Sequence, residues 1–187
     1  MSHQEAFLVG IISGTSKSLR PETFTAFLNA DLIIHAGDIG SAQVLKQLGK
    51  IAPVHAVRGA KDKWAVNKLE NTRVVKVADS SLFVIHDSIK IRSNKHQNGY
   101  SVVISGDKNK PSIKEEDDIL YINPGTTKSG NGSDSVALLV VAGSAKNAEI
   151  ISLDLLKRKR TQFSDRASGQ SGSAYSTKTP KMHLPLS

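Results

Sequence analysis

The chain has 187 residues, of which 39% are hydrophobic, with no cysteine and a formal charge of +8. This is enough for one domain with a substantial core and too little for two, and it excludes disulfides, thiolate metal sites and cysteine nucleophiles. Residues 157–187 carry seven Lys/Arg and one Asp, while residues 1–156 carry 18 Lys/Arg and 16 Asp/Glu, so the basic character belongs to the tail and lends little support to a nucleic-acid face on the body.

Residues 6–12, AFLVGII, form a continuous apolar run ending in Ser-Gly-Thr-Ser, which predicts a buried strand. The preceding residues offer no basic region followed by a long apolar stretch, so no signal or transit peptide is expected. No apolar run reaches the ~18 residues of a membrane span, and the lack of cysteine suits a reducing compartment, which makes the cytoplasm the expected location. Pro21 marks a helix start, with Phe24, Phe27 and Leu28 spaced for one buried face. Residues 31–36, DLIIHA, predict a second buried strand. Ser41 is a candidate N-cap for a helix that buries Val44, Leu45 and Leu48. Pro53 ends it, and residues 54–57 predict a third strand.

This alternation predicts βαβαβ with parallel strands. The loops 13–17, 37–40 and 59–62 then fall at the carboxyl ends of strands, where open α/β sheets bind ligands. The second half reads as short strands at 74–77, 81–86, 101–105, 111–116, 119–123, 136–141 and 148–155, several with period-two alternation. Asp117-Asp118 predicts a hairpin turn, and the acidic run 115–118 reads as a solvated loop. The expectation is α/β: a second mixed sheet packed face to face on the first, with helices outside, over residues 1–156. Residues 157–187, rich in Ser, Gly and Lys with few apolar side chains, are expected to form a basic, disordered tail. His35, within an apolar strand, reads as a core histidine, and His3, His55, His96 and His183 have no partner spacing. Gly130-Asn131-Gly132-Ser133 reads as a loop.

Six fragments occur in a recognisable order: Ile12-Ser13-Gly14-Thr15-Ser16-Lys17 followed by Leu19-Arg20-Pro21-Glu22, His35-Ala36-Gly37-Asp38-Ile39-Gly40, Val57-Arg58-Gly59-Ala60-Lys61-Asp62, Val84-Ile85-His86-Asp87, Ser105-Gly106-Asp107-Lys108-Asn109-Lys110-Pro111 and Ile122-Asn123-Pro124-Gly125. Together they resemble the small calcineurin-like metallophosphoesterases of bacteria and archaea, and the phosphoesterase-like subunit of retromer. The family carries I-S-D-T-H-G, G-D, V-R-G-N-x-D, a strand-end His, S-G-H-T-H-K-P and I-N-P-G at these places. The resemblance covers residues 6–155 and implies a four-layer αββα sandwich.

The resemblance also implies a two-metal centre, in which two ions about 3.5–4 Å apart clamp a phosphate and activate a water. Carried over by position, Asp38 keeps the bridging carboxylate and His86 the strand-end imidazole. Gly14 and Ser16 replace an Asp and a His, Ala60 replaces an Asn, and Asp107 and Asn109 replace two His. Five of seven ligand positions therefore differ, and Gly14, Ser16 and Ala60 are poor substitutes. A phosphoesterase fold that has become a catalytically inactive binding or scaffold subunit, without a cofactor, is the expected function. The alternative is a weak phosphodiesterase or phosphatase that holds one divalent ion (Mn, Zn or Mg) on Asp38, His86 and Asp107, an oxygen and imidazole set suited to such ions. The tail cluster Lys157, Arg158, Lys159 and Arg160 is the candidate dock for a protein or ribonucleoprotein assembly, or for nucleic acid.

Overall fold

A strand that is apolar at nearly every position has to be covered on both faces, and β1 (Ala6–Ile12) is. Val9 and Ile11 enter one buried cluster, whereas Ile12 enters another. The computed structural model describes residues 5–16, 18–65, 67–91, 99–128 and 134–169. After β1 come α1 (Pro21–Ala26), β2 (Leu32–His35), α2 (Ala42–Leu48) and β3 (Val54–Ala56). Then follow β4 (Thr72–Val77), β5 (Ser80–Ile85), β6 (Val102–Ile104), β7 (Ser112–Glu116), β8 (Ile119–Asn123), β9 (Ser135–Ala142), β10 (Ala145–Ser152) and α3 (Leu153–Gly169).

The strands form two five-stranded sheets, in the orders β10-β9-β1-β2-β3 and β4-β5-β6-β8-β7. β1, β2 and β3 run parallel, as the βαβαβ reading requires, and β9 closes antiparallel onto β1. In the second sheet β5, β6 and β8 are parallel and β4 and β7 are antiparallel edges. Both sheets are therefore mixed, as expected. The cluster between them joins Ile34 and Leu139 of the first sheet to Leu82, Val84, Ile104 and Ile122 of the second. The cluster outside the first sheet joins Ile12 and Ile33 to Val44 and Leu48 of α2 and Leu153 of α3. Among the described residues no helix is long and apolar enough to cross a membrane.

The hairpin between β7 and β8 turns on Asp117 and Asp118 with φ of 52° and 61°, and Glu116 faces Ile119. Positive φ at both central residues is the turn whose twist matches paired strands, and Asp tolerates it better than most residues.

Two local expectations are corrected. The first helix stops at Ala26, so Phe24 and Leu28 are 38% and 75% exposed. Phe27 is fully buried because Gly10 leaves room: a Cβ there would lie 2.8 Å from the ring. Second, β10 ends at Ser152, and the segment expected to be strand to 155 and disordered from 157 is the helix α3 as far as Gly169. Leu153 is buried and Leu156 packs on the same cluster. Arg160 reaches Glu22 of α1 at 3.6 Å. These partners lie far away in the chain, so local composition carries no sign of them. Residues 170–187, His3, His96, His183 and the loop residues 130–133 lie outside the described residues.

Candidate functional site

Three strand ends meet because their loops dispense with side chains where they touch. A Cβ on Gly59 would collide with the Asp38 backbone nitrogen, and one on Gly106 with the Ala36 carbonyl. Gly37, at φ 89°, has the His86 ring against it, 2.7 Å from where a Cβ would stand. Asp62 ties the second loop to the third. It is fully buried, and its carboxylate accepts from the backbone N–H groups of Gly59 (2.8 Å), Gly40 (2.8 Å) and Ile39 (3.1 Å). Three otherwise orphaned donors are satisfied by one side chain.

Asp38 lies at the centre, in left-handed backbone at φ 55°. A cap for α2 would explain such an aspartate, but its carboxylate turns elsewhere. Oδ1 accepts from the Lys61 backbone N–H at 3.1 Å, and Oδ2 lies 3.1 Å from the Lys61 ammonium. His86 Nδ1 donates to the Ala36 carbonyl at 2.8 Å. A carbonyl can only accept, so this bond fixes the proton on Nδ1 and leaves Nε2 facing Asp38 Oδ1 at 3.5 Å. That is how a metal-binding histidine is oriented by its outer partner. Burial pushes the Asp38 carboxyl up, but the Lys61 N–H and ammonium outweigh it and hold the group below the usual carboxylate range.

The other half of the site is closed by packing. Gly14 adopts φ 62°, and a Cβ on it would collide with the Thr126 hydroxyl. Thr126 Oγ1 donates to the Gly14 carbonyl at 3.2 Å. Ser16 stands exposed at φ 45°, and the Lys128 ammonium caps its carbonyl at 3.3 Å. Ala60 is exposed and borders a cavity of about 330 Å³ with Arg58, His86 and Lys90. Asp107 and Asn109 are exposed. Asp107 accepts from the Ser88 hydroxyl at 2.6 Å.

Of the expected residual ligands, Asp38 and His86 are brought together and Asp107 is not. Among the described residues no three His, Asp or Glu side chains gather into a group that could hold a metal ion. The donor set does not fit a two-metal centre. The Gly14 side offers no carboxylate and no room for a side chain, and the carboxylate on the Asp38 side already has an ammonium on it.

His35 is the core histidine expected. It is fully buried, with Nε2 3.0 Å from Thr15 Oγ1. The Thr15 hydroxyl donates to the Ile39 carbonyl at 2.8 Å, so His35 donates from Nε2, and its Nδ1 has no hydrogen-bond partner. Burial lowers its pKa to about 4, against the opposing pull of Asp62. His55 lies 3.5 Å from Arg73 Nη1.

Sequence reasoning missed Lys61, Asp62 and Arg20 as organising residues. The signal for Lys61 was present, since it directly follows the alanine that replaces a ligand. Arg20 binds Asp134 at 2.7 Å, Asp154 at 2.9 Å and Glu22 at 3.2 Å. Burial opposes its charge, and the hydrogen bonds to Asp154 and Asp134 raise its pKa regardless. This cluster pins α3 beside α1. Of the basic cluster on α3, Lys157 and Arg160 border a second cavity of about 790 Å³ together with Arg20 and Lys128.

A family model, the calcineurin-like phosphoesterase superfamily domain, matches residues 7–144. A probable metallophosphoesterase of Methanothermobacter thermautotrophicus is 31% identical over 157 residues, covering 77% of this chain and 91% of that protein. The structure of an archaeal phosphodiesterase superposes with a TM-score of 0.64 at 23% identity, over 78% of this chain and all of the other. Wild-type Vps29 from Entamoeba histolytica, solved in complex with Zn²⁺, superposes with a TM-score of 0.60 at 20% identity, over 79% of this chain and 99% of that one. At these identities the two structures are evidence of the fold alone.

Proposed function

This chain belongs to the calcineurin-like phosphoesterase superfamily, and we propose that within it the protein is a non-catalytic binding or scaffold subunit that needs no metal. One observation carries this reading: the place of the first aspartate ligand is a left-handed glycine with a threonine hydroxyl packed where its side chain would begin. A lost ligand can be regained by one substitution, but a refilled site has committed its backbone to another arrangement. The partner is proposed to be a protein or ribonucleoprotein assembly. The exposed basic residues Lys157, Arg158 and Lys159 on α3 supply the charge for docking on an acidic surface. The site of action is proposed to be the cytoplasm.

The second reading, a weak phosphodiesterase or phosphatase with a single divalent ion, is favoured by one feature, the His86 ring oriented with Nε2 toward Asp38. Calorimetric titration of Mn²⁺ into the metal-free chain, with an assay of the same sample on a chromogenic phosphodiester, decides between them. No heat at ion concentrations up to about 100 μM, together with no turnover, is the expected result. Stoichiometric uptake with turnover that is lost in Asp38→Ala overturns the non-catalytic reading. For the docking surface, capture of partners by the full chain is compared with a variant carrying serine at 157, 158 and 159. Equal capture removes α3 from the interface.

A further inference from the structure

Asp38 is buried, and the partly buried His86 is oriented toward it, an arrangement that by itself predicts residual metal affinity. We propose that Lys61 is the resident cation of this site: its ammonium neutralises Asp38 where a divalent ion would, and so keeps the Asp38–His86 pair from taking up metal. The inference rests on the non-catalytic reading and gives it a cause on the side of the site that kept its donors.

The geometry points this way at three levels. First, the Lys61 ammonium lies 3.1 Å from Asp38 Oδ2, while His86 Nε2 faces the other oxygen at 3.5 Å. A divalent ion bound by the same carboxylate and imidazole would sit about 2.0–2.2 Å from each, on a carboxylate whose other oxygen already carries the ammonium. Two cations on one carboxylate repel each other, so the ammonium weakens the carboxylate's pull on an incoming ion.

Second, Lys61 is delivered from its backbone and not only by a mobile stem. Its own N–H donates to Asp38 Oδ1 at 3.1 Å, and its loop is closed by the bond from Asp62 N to the Gly59 carbonyl at 3.2 Å. Asp62 anchors that loop from inside through Gly59 N, and Gly59 permits the approach by having no Cβ to strike Asp38. Third, Ala60 offers no donor atom beside the pair, so a divalent ion has nothing on that side with which to displace the lysine. The Lys61 side chain is 77% exposed, and an exposed ammonium is screened by water. Its effect is therefore a competition that one substitution relieves.

The test is calorimetric titration of Zn²⁺ alone into the untagged full chain, with the wild type compared to Lys61→Met and to Ala60→Asn combined with Lys61→Met. The expected result is at least tenfold tighter uptake of one equivalent by Lys61→Met, a further gain when the amide is restored, and loss of both gains on adding Asp38→Ala. Retained melting temperature in Lys61→Met verifies the fold, and because the side chain is exposed no change is expected. Equal affinity of wild type and Lys61→Met, no uptake by either, or a gain that survives Asp38→Ala each overturns the role of Lys61. Turnover of a phosphodiester by the wild-type chain sinks the non-catalytic reading instead, whatever the zinc affinities are, so the two failures are distinguishable.

Discussion

The two halves of the strand-end site are built differently. Around Gly14 the space is filled: Thr126 packs on the glycine and Lys128 caps the Ser16 carbonyl. Around Asp38 a carboxylate and a partly buried imidazole face each other, and a lysine ammonium meets the carboxylate. The first half is closed by packing on a left-handed glycine, whereas the second carries a lysine beside a carboxylate held in a hydrogen-bonded frame. The difference teaches that a strand-end site can be occupied either by packing or by charge. Refilling is costly to reverse, and neutralisation by a built-in charge is not.

The largest expected effect comes from the frame of the second half. Asp62→Ala leaves the N–H groups of Gly59, Gly40 and Ile39 without their carboxylate in a buried setting, and each such loss costs about 1–3 kcal/mol. A loss of about 4 kcal/mol in urea unfolding is expected; a loss below about 1 kcal/mol would show that the loops hold together without it.

Next comes His35, which lies under both halves. The unfolded chain takes up a proton at the ordinary pKa of 6.5, while the folded chain refuses it until about 4. The histidine thus contributes stability that is fully present above 6.5 and is lost as pH falls toward 4. Linkage bounds that loss at about 3 kcal/mol. Comparing urea unfolding of the wild type with His35→Gln at pH 7 and pH 4.5 isolates it. The gap between the two chains is expected to shrink at the lower pH, and a constant gap would refute the assignment.

How much of this was legible in the sequence follows from what each feature depends on. The two mixed sheets were readable because continuous apolar runs, period-two alternation and the turn residues Asp117-Asp118 are local signals. Gly14, Ser16 and Ala60 stood out only through the resemblance of their segments to the family's motifs. The charges on Asp38 and Arg20 were not, since Lys61 and Asp154 have no fixed spacing from them and meet them only through the fold. The helical α3 was hidden for the same reason. Its anchors are Leu153 in a distant cluster and Arg160 on Glu22, while its own composition is that of a solvated tail.

The refilled half gives a smaller effect and a sharper test of irreversibility. Gly14→Asp returns the family's residue to the first ligand position. An L-residue at φ 62° is strained by about 1–2 kcal/mol, and the new Cβ must also displace the Thr126 hydroxyl. A destabilisation of about 2 kcal/mol with no gain in Zn²⁺ uptake is expected. Tight zinc binding by this single variant would show that the backbone had kept the original site after all.

The smallest expected change is the stability effect of Lys61→Met, and its smallness is informative. Exposed ion pairs contribute about 0–1 kcal/mol, so urea unfolding at pH 7 should move by less than that. The sign with pH is fixed by Asp38, whose folded pKa lies below its usual 3.8 because of Lys61. A depressed carboxylate adds stability above the unfolded pKa and loses it as pH falls through the folded one. Removing Lys61 should therefore cost its small amount at neutral pH, and the cost should shrink as pH falls below the unfolded carboxylate range. Placed beside the tenfold change expected in zinc affinity, a stability shift this small would mean that Lys61 is held at Asp38 for the charge it sets there and not for the fold. A shift of several kcal/mol would reverse that conclusion and make Lys61 part of the frame, alongside Asp62.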